Sequence, residues 1–146
     1  MTKLPIDILM IDDEKDFVEM LSIRLEDAGH RVRAAYSGEE GLRAVEESEP
    51  DVIILDIKMP GLDGIQTLKR IKSKRALAEI LLLTGHGAVD SAVEGLKAGA
   101  FDYLLKPADF AELLEKLEAA RKRKSEQETR IRQAEARGLM RRTGDI

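Results

Sequence analysis

The feature that most restricts the fold of this chain is a repeated change between short apolar runs and longer segments whose apolar residues recur at helical spacing. Continuous apolar runs lie at 8–11, 52–55, 80–83 and 103–105, and a weaker alternating run covers 30–36. Such a pattern is typical of βαβ units, which place their strands side by side in a parallel sheet. Five strands that alternate with five helices through right-handed crossovers predict an α/β, doubly wound domain.

The predicted helices have recognisable starts and ends. Ser37 and Glu40 fit a capping box before helix two, and a final helix starts after Pro107. Gly29 and Gly99 supply stops after helices one and four. Apolar residues at helical spacing mark the sides expected to face the sheet: Phe17, Met20, Leu21, Leu25 and Ala28; Leu42 and Val45; Ile65, Leu68 and Ile71; Val89, Ala92, Val93 and Leu96; Phe110, Leu113, Leu114 and Leu117.

The last part of the chain differs in composition from the rest. With 146 residues the chain has room for one domain and is too short for a second of typical size. Residues 121–137 are mostly good helix formers, and neither Gly nor Pro interrupts them. We predict a domain at 1–120 and a charged, mostly helical tail or linker at 121–146. A heptad-like seam in this region makes a weak coiled coil, since two positions are polar: Leu113, Leu117, Ala120, Lys124, Gln127, Ile131 and Ala134.

Charge is divided unevenly along this chain, whose formal net charge is -4. Residues 1–120 hold 15 basic and 24 acidic residues, whereas 121–146 hold 9 basic and 4 acidic ones. An acidic body argues against direct nucleic acid binding, because phosphate backbones attract basic surfaces. Only the basic tail could make that contact, and its interspersed glutamates favour a solvated helix instead. The chain has no cysteine, which excludes disulfides and thiolate chemistry. It also has neither a membrane-length apolar run nor a signal-peptide pattern, so we expect a cytoplasmic protein without membrane association.

Polar side chains follow the predicted strands at the edge where parallel strands end. Asp12 and Asp13 follow strand one, and Asp56 follows strand three. Thr84 ends strand four, and Lys106 follows strand five. Ligands of open α/β sheets bind at this carboxyl edge. Adjacent carboxylates repel unless a hard cation such as Mg²⁺ joins them, and an ammonium with a hydroxyl suits an anion. The sequence therefore predicts a site for one metal ion and one phosphoryl group.

Four stretches of the chain resemble the receiver domain of two-component response regulators, which are signal-transduction proteins. They are Ile-Asp-Asp-Glu at 11–14, Ile-Leu-Asp-Ile-Lys-Met-Pro-Gly-Leu-Asp-Gly at 54–64, Leu-Thr-Gly-His-Gly at 83–87 and Ala-Gly-Ala-Phe-Asp-Tyr-Leu-Leu-Lys-Pro at 98–107. The resemblance covers about residues 4–120, and its last two stretches look most like receivers of enhancer-binding transcriptional activators. It implies a flavodoxin-like sheet of five parallel strands in the order 2-1-3-4-5.

The resemblance also implies a role for each acidic residue of the edge. Asp56 would be the phosphoacceptor, receiving a phosphoryl group from a sensor histidine kinase or a phosphotransfer protein. Asp13 and Asp56 would bind Mg²⁺ directly, the backbone carbonyl of Lys58 would be a further ligand, and Asp12 would act through water. Such a protein is a phosphoacceptor regulator that promotes its own phosphorylation and dephosphorylation, rather than an enzyme.

The same resemblance implies a switch. Lys106 and Thr84 would hold the phosphoryl oxygens, and Tyr103 would turn inward when Thr84 moves toward the phosphoryl group. This change would alter a face formed by helix four, strand five and helix five, which would dock a partner or a second copy of the chain. The C-terminal helix is the other expected site of homodimer formation.

Lys58 and His86, each two residues after a site residue, are hypothesised to slow loss of the phosphoryl group. The other interpretation is that both are solvated loop side chains. Ala108 departs from the larger apolar residue usual in the family, and Phe110 is expected to fill that space, which would shift the start of helix five.

Other functions remain open from the residues. The chain would be a receiver fragment of a larger transcriptional activator if its effector domain lies outside this sequence. A Mg²⁺-dependent aspartyl phosphatase is a weaker alternative, because it usually has two acidic residues separated by one position, whereas Asp12 and Asp13 are adjacent. A nucleotide or flavin binder is weaker still, since the acidic residues at 12–14 would repel phosphates after strand one.

Overall fold

The computed structural model describes residues 4–85 and 88–143 and confirms the predicted alternation of strands and helices. Its elements are β1 (Asp7–Ile11), α1 (Lys15–Asp27), β2 (Arg31–Ala35), α2 (Gly38–Glu47), β3 (Val52–Leu55), α3 (Gly64–Lys74), β4 (Ile80–Thr84), α4 (Val89–Lys97), β5 (Asp102–Leu105) and α5 (Phe110–Thr143). Within these described residues, no helix has the length and hydropathy needed to cross a membrane.

The five strands form one parallel sheet in the order β2-β1-β3-β4-β5, as predicted. The register brings the carboxyl ends of the strands level with one another: Ile11 pairs with Ala35 and with Leu55, and Thr84 pairs with Leu105. The residues that follow β1, β3 and β5 therefore meet at one edge of the sheet, the carboxyl edge. The opposite edge, where the strands begin, is called here the base.

Helices cover both faces of the sheet and make three layers. On one face, alternate strand residues such as Leu9 and Leu55 form a buried cluster with apolar residues of α2, α3 and α4. On the other face, their neighbours such as Met10 and Ile54 pack with α1 and α5. β1, β3 and β4 are buried almost throughout, which explains their continuous apolar sequence and holds their carboxyl ends in place.

The side of α1 that faces the core differs from the predicted one at Met20 and at the C-cap residue Ala28, which are both exposed. Val18, Leu21 and Leu25 are buried, whereas Met20 is 53% exposed. At 100° per residue, Met20 lies about half a turn from Val18, so both cannot face the sheet. The expectation that Met20 belongs to the core was therefore wrong.

α4 packs through its small residues and not through its valines. Ala92 and Gly95 are buried, and a Cβ atom on Gly95 would lie 2.5 Å from a methyl group of Leu82. Val89 and Val93, predicted to face the sheet, are 39% and 42% exposed. The close approach of α4 to β4 at Gly95 explains why Val89 and Val93 point outward, while Leu96 is partly buried against the core.

The start of α2 has half of the predicted capping box. The Ser37 hydroxyl accepts a hydrogen bond from the backbone N–H of Glu40, as expected. The Glu40 carboxylate, however, accepts from the backbone N–H of Tyr36, at 2.8 Å, and not from that of Ser37. The helix start was predicted correctly, but its second hydrogen bond is displaced by one residue.

α5 is one helix of 34 residues that passes without a break through the predicted boundary at 120. The first residues of the heptad-like seam pack on the sheet: Leu113, Leu117 and Ala120 are fully buried, and Lys124 is 8% exposed. Ile131, further along the seam, is 44% exposed. The first half of the seam is thus occupied by the chain's own core. The division at 120 stays a prediction.

Candidate functional site

The acidic residues predicted to cluster do so at the carboxyl edge. One carboxylate oxygen from each of Asp12, Asp13 and Asp56 lies within 4.8 Å of the others. Asp12 and Asp13 directly follow β1, and Asp56 follows β3, its neighbour in the sheet. Asp12 and Asp56 are 3% and 5% exposed, while Asp13 is the most accessible of the three. The adjacency of β1 and β3 is what brings these residues together.

The electrostatics of the cluster favour a cation. Burial, followed by the neighbouring Asp12 carboxylate, raises the pKa of Asp56 to about 7, although Lys106 acts to lower it. Ionising Asp56 is therefore costly in the protein alone, and a divalent cation would offset that cost. Three oxygen donors with one accessible member match the preference of Mg²⁺ for carboxylates and retained waters. The residues present fit this ion.

Lys106 lies against the same carboxylates. Its Nζ is 2.8 Å from Asp12 Oδ2, 3.0 Å from Glu14 Oε1 and 3.8 Å from Asp56 Oδ2. It also lies over the ring of Phe17, 4.3 Å from the centroid. Burial acts to lower the pKa of Lys106, but hydrogen bonds to Asp12 and Glu14 outweigh it and the pKa is raised. The site therefore contains a firmly protonated ammonium group.

Thr84 offers an unpaired hydroxyl beside the cluster. The residue is fully buried at the end of β4, and its backbone carbonyl accepts a hydrogen bond from the Lys106 N–H at 2.7 Å. Its Oγ1 has no hydrogen-bond partner among the residues that the structure describes. A buried unpaired hydroxyl costs about 1–3 kcal/mol. An oxygen of a bound phosphoryl group would supply the missing partner.

The loop between β3 and α3 fixes the backbone of Asp56. The Lys58 N–H lies 3.4 Å from Asp56 Oδ1, and the Gly64 N–H donates to the Ile57 carbonyl at 2.8 Å. A Cβ atom on Gly64 would come within 2.2 Å of the Asp56 carbonyl oxygen, so only glycine permits this approach. Asp63 caps α3 through a full capping box with Gln66. Sequence reasoning missed these loop roles, although the capping-box spacing was visible.

Several other predicted positions have a clear place in the structure. Tyr103 is half-buried on β5 and packs against the core on the α2–α4 face of the sheet. Ala108 and Phe110 both pack against the other core, and α5 begins at Phe110, after Pro107 as predicted. The Lys58 side chain is exposed, while His86 lies outside the described residues, so their effect on phosphoryl loss stays a prediction.

Comparison with known proteins identifies the family. The family model of the response regulator receiver domain matches residues 8–118. The transcriptional regulatory protein ZraR of Salmonella typhimurium is 45% identical over 115 residues, which are 79% of this chain and 26% of that protein. The regulatory protein AtoC of Escherichia coli is 40% identical over 106 residues, 73% of this chain and 23% of that protein. The chain thus spans about a quarter of the length of these relatives.

Solved structures agree with the sequence comparison. A response regulator receiver domain protein from Clostridium thermocellum has a TM-score of 0.78 and 40% identity, over 81% of this chain and 95% of that one. NtrX from Brucella abortus, solved in complex with ADP, has a TM-score of 0.82 and 30% identity, over 86% of this chain and 29% of that one. The sheet order, the acidic edge and these matches lead to one conclusion: the chain belongs to the response regulator receiver domain family of two-component signalling proteins, related to transcriptional activators.

Proposed function

We propose that this chain is a phosphorylation-dependent signalling switch whose phosphoacceptor is Asp56. The observation that carries the proposal is the arrangement around Asp56 at the carboxyl edge. Two further carboxylates lie within 4.8 Å of it, the Lys106 ammonium lies 3.8 Å away, and the buried hydroxyl of Thr84 lacks a partner among the described residues. Together these groups can bind a cation and a phosphoryl group side by side. The phosphodonor would be a sensor histidine kinase or a phosphotransfer protein.

The residues divide the chemistry between them. A carboxylate oxygen of Asp56 attacks the phosphorus of the donor phosphohistidine, forming an acyl phosphate while the P–N bond breaks and the electron pair returns to the imidazole. Asp13, Asp56 and the Lys58 carbonyl would hold Mg²⁺ directly, with Asp12 acting through water. The ion would supply neutralisation of the charge that accumulates on the phosphoryl oxygens. Transfer then requires positioning and electrostatic stabilisation, and no separate base for the ionised nucleophile.

Lys106 and Thr84 would receive the phosphoryl oxygens. The Lys106 ammonium lies between Asp12 and Asp56, at 2.8 Å and 3.8 Å, so a short movement would bring it to a group on Asp56. The unpaired Thr84 hydroxyl would donate its hydrogen bond to the same group. Thr84 pairs across the sheet with β5, which also carries Tyr103. A change at Thr84 therefore has a direct structural connection to the α4–β5–α5 face.

The test is covalent modification by a small phosphodonor such as acetyl phosphate. We expect the wild-type chain to gain one phosphoryl group in the presence of Mg²⁺, none after removal of divalent cations by EDTA, and the group to map to Asp56. Intact-mass measurement followed by borohydride trapping and peptide mapping would check this. Modification at another residue of the folded protein, or Mg²⁺-independent modification, would refute the proposal.

Tyr103→Ala is expected to leave the rate of phosphorylation unchanged while most of the response of the α4–β5–α5 face is lost. The ring is half-buried against the core, so it can act as the group that repacks when Thr84 moves. Amide chemical shifts with and without beryllofluoride, a phosphoryl mimic, would report the response. Tyr36→Ala, at the chain's other tyrosine, is the control. Loss of phosphorylation by Tyr103→Ala would contradict the assignment.

The α4–β5–α5 face and the relatives together suggest what the switch would control. We propose that it controls a partner protein or the association of two copies, through the α4–β5–α5 face or through the carboxyl-terminal part of α5. Curated relatives that extend well beyond the matched region are named as transcriptional regulatory proteins, which favours a receiver that acts within a larger activator. Dimer formation stays a prediction, and the molar mass in solution with and without beryllofluoride would test it.

A further inference from the structure

We propose that Phe17 is a positioning residue for Lys106, and that Glu14 is the anionic partner which Lys106 exchanges for the phosphoryl group. The proposal rests on the proposed function, because it assigns Lys106 to the phosphoryl group. It concerns two residues of the β1–α1 region that the sequence reasoning placed in no site. From the sequence, Phe17 was expected on the core-facing side of α1. Glu14 was noted only as part of the Ile-Asp-Asp-Glu stretch and among the acidic residues after strand one.

The contact with Phe17 has the geometry of a cation–π interaction. The Lys106 ammonium lies 4.3 Å from the centroid of the Phe17 ring, within the roughly 6 Å range at which such contacts are attractive. The Lys106 side chain is 15% exposed, so solvent screens this contact only in part. Phe17 packs against the core cluster on the α1 and α5 face, which holds its ring in place.

A lysine needs such support because its four-carbon stem is flexible and its ammonium acts as a point charge. Here a ring face and two carboxylates, Asp12 and Glu14, all from the β1–α1 region, meet the ammonium that follows β5. They hold it 3.8 Å from Asp56, close to the phosphoacceptor but nearer to the other two carboxylates. The resting position is therefore adjacent to the place where a phosphoryl oxygen would arrive.

The partners of Lys106 differ in how easily they can be replaced. The Glu14 side chain is 62% exposed, and exposed ion pairs contribute little because solvent competes for both charges. A phosphoryl group on Asp56 would carry more charge and lie in a less exposed place, so it can displace Glu14. Phe17 is uncharged and can remain against the ammonium in both states. Glu14 therefore competes with the phosphoryl group, and Phe17 does not.

The test uses Phe17→Leu, which keeps an apolar side chain but removes the ring, and Phe17→Tyr, which keeps the ring. Phe110→Leu is a matched control, since Phe110 packs in the same core cluster and has its own cation, Arg24, 4.2 Å from its ring centroid. The readouts are the dissociation constant for beryllofluoride with Mg²⁺, from an NMR titration, and the ring-current shift of the Lys106 ε-methylene protons. Thermal unfolding checks that each variant is folded.

We expect Phe17→Leu to abolish the ring-current shift and to weaken beryllofluoride binding by about three- to tenfold, because the flexible Lys106 side chain would then have to be ordered when the ligand binds. Phe17→Tyr should restore both, and Phe110→Leu should change neither. Glu14→Gln should strengthen binding by about two- to fivefold, because it removes the competing charge of a weak surface ion pair.

Three results would overturn the proposal. If Phe17→Leu binds beryllofluoride as tightly as the wild type, or if Phe17→Tyr and Phe17→Leu weaken that binding equally, Phe17 contributes only to packing. An unchanged beryllofluoride affinity in Glu14→Gln would show that Glu14 does not compete with the phosphoryl group for Lys106. If the wild type itself does not bind beryllofluoride, the proposed function fails, and the Lys106 ring-current shift in the free protein still reports separately whether the Phe17 contact exists.

Discussion

Asp56→Asn is expected to abolish phosphoryl incorporation and, in the metal-free protein, to increase stability. The first effect follows because an amide is not a nucleophile toward phosphorus at neutral pH. The second follows from the environment of Asp56, which is 5% exposed and lies beside Asp12. An amide of the same shape carries no charge to desolvate and is not repelled by Asp12. Loss of the attraction to Lys106 offsets part of this gain.

The direction of this stability change follows from the pH at which Asp56 ionises in the folded and unfolded states. Burial, followed by the Asp12 carboxylate, raises the pKa of Asp56 to about 7 in the folded chain, from 3.8 in the absence of these effects. Between these values the folded state binds a proton that the unfolded state has lost. The stabilising contribution of Asp56 is therefore complete below about pH 4, falls as the pH rises toward 7 and is absent above it. At about pH 8, Asp56→Asn should raise the free energy of unfolding by roughly 2–4 kcal/mol.

Urea unfolding in EDTA from about pH 4 to pH 8 would measure this effect. The wild type should lose stability relative to Asp56→Asn as the pH rises, and Mg²⁺ should restore stability to the wild type but not to the variant. Asp27→Asn, at an exposed position on α1, is the matched control and should follow the wild-type profile. Parallel pH profiles for the wild type and Asp56→Asn would contradict the burial argument.

The fold could be predicted from the sequence because its three central strands, β1, β3 and β4, are buried on both faces. Such strands read as continuous apolar runs, and their spacing leaves room for one crossover helix each. The direction of a helix face was harder to predict where spacing alone decided it. Met20 lies three residues after Phe17, which is only partly buried, and the exposed valines of α4 depend on the contact between Gly95 and Leu82. That contact joins α4 to β4, so the pattern of residues within either segment does not indicate it.

The site could be predicted for the same reason, but only as far as the strand ends. The register places Asp12, Asp56, Thr84 and Lys106 at one edge whatever their rotamers. The partners of Lys106 depend on where a flexible side chain points, and on how α1 approaches the segment after β5. Phe17 therefore looked like an ordinary core residue of α1. Its contact with the ammonium became visible only in the structure.

The boundary at 120 was predicted from composition, and composition cannot show which groups a charged side chain contacts. Arg121 donates to the backbone carbonyls of Leu4 and Pro5, at 2.6 Å and 3.1 Å. Lys124 is buried and donates to the Pro50 carbonyl at 3.3 Å. Long basic side chains can cover apolar surface while their charged ends find partners far away in sequence. These residues of the predicted tail thus contact the base of the sheet.

Arg123→Ala is expected to destabilise the protein by about 2 kcal/mol, less than the loss of one partner of a fully buried ion pair, because the Arg123 side chain is 43% exposed. The guanidinium binds both carboxylate oxygens of Glu79, whose side chain is 1% exposed at the beginning of β4. It also lies over the ring of Phe101, 4.6 Å from the centroid. Without Arg123, the Glu79 carboxylate would remain buried without its hydrogen-bonded partner, which accounts for most of the loss. The hydrogen bond to Glu79 also raises the pKa of Arg123, so the guanidinium is charged at neutral pH.

Replacing both residues together separates the contribution of the pair from the cost of leaving one buried charge without its partner. Glu79→Leu with Arg123→Leu should be much less destabilising than Arg123→Ala, since replacing a buried pair by apolar residues is often close to neutral. Lys122→Ala is the matched control, because that side chain is 79% exposed and its ion pair with Glu126 spans 4.0 Å. Equal unfolding free energies for Arg123→Ala and Lys122→Ala would show that Arg123 is an ordinary surface residue. The expected loss would instead place Arg123 within the cooperatively folded unit, so that this unit extends beyond residue 120.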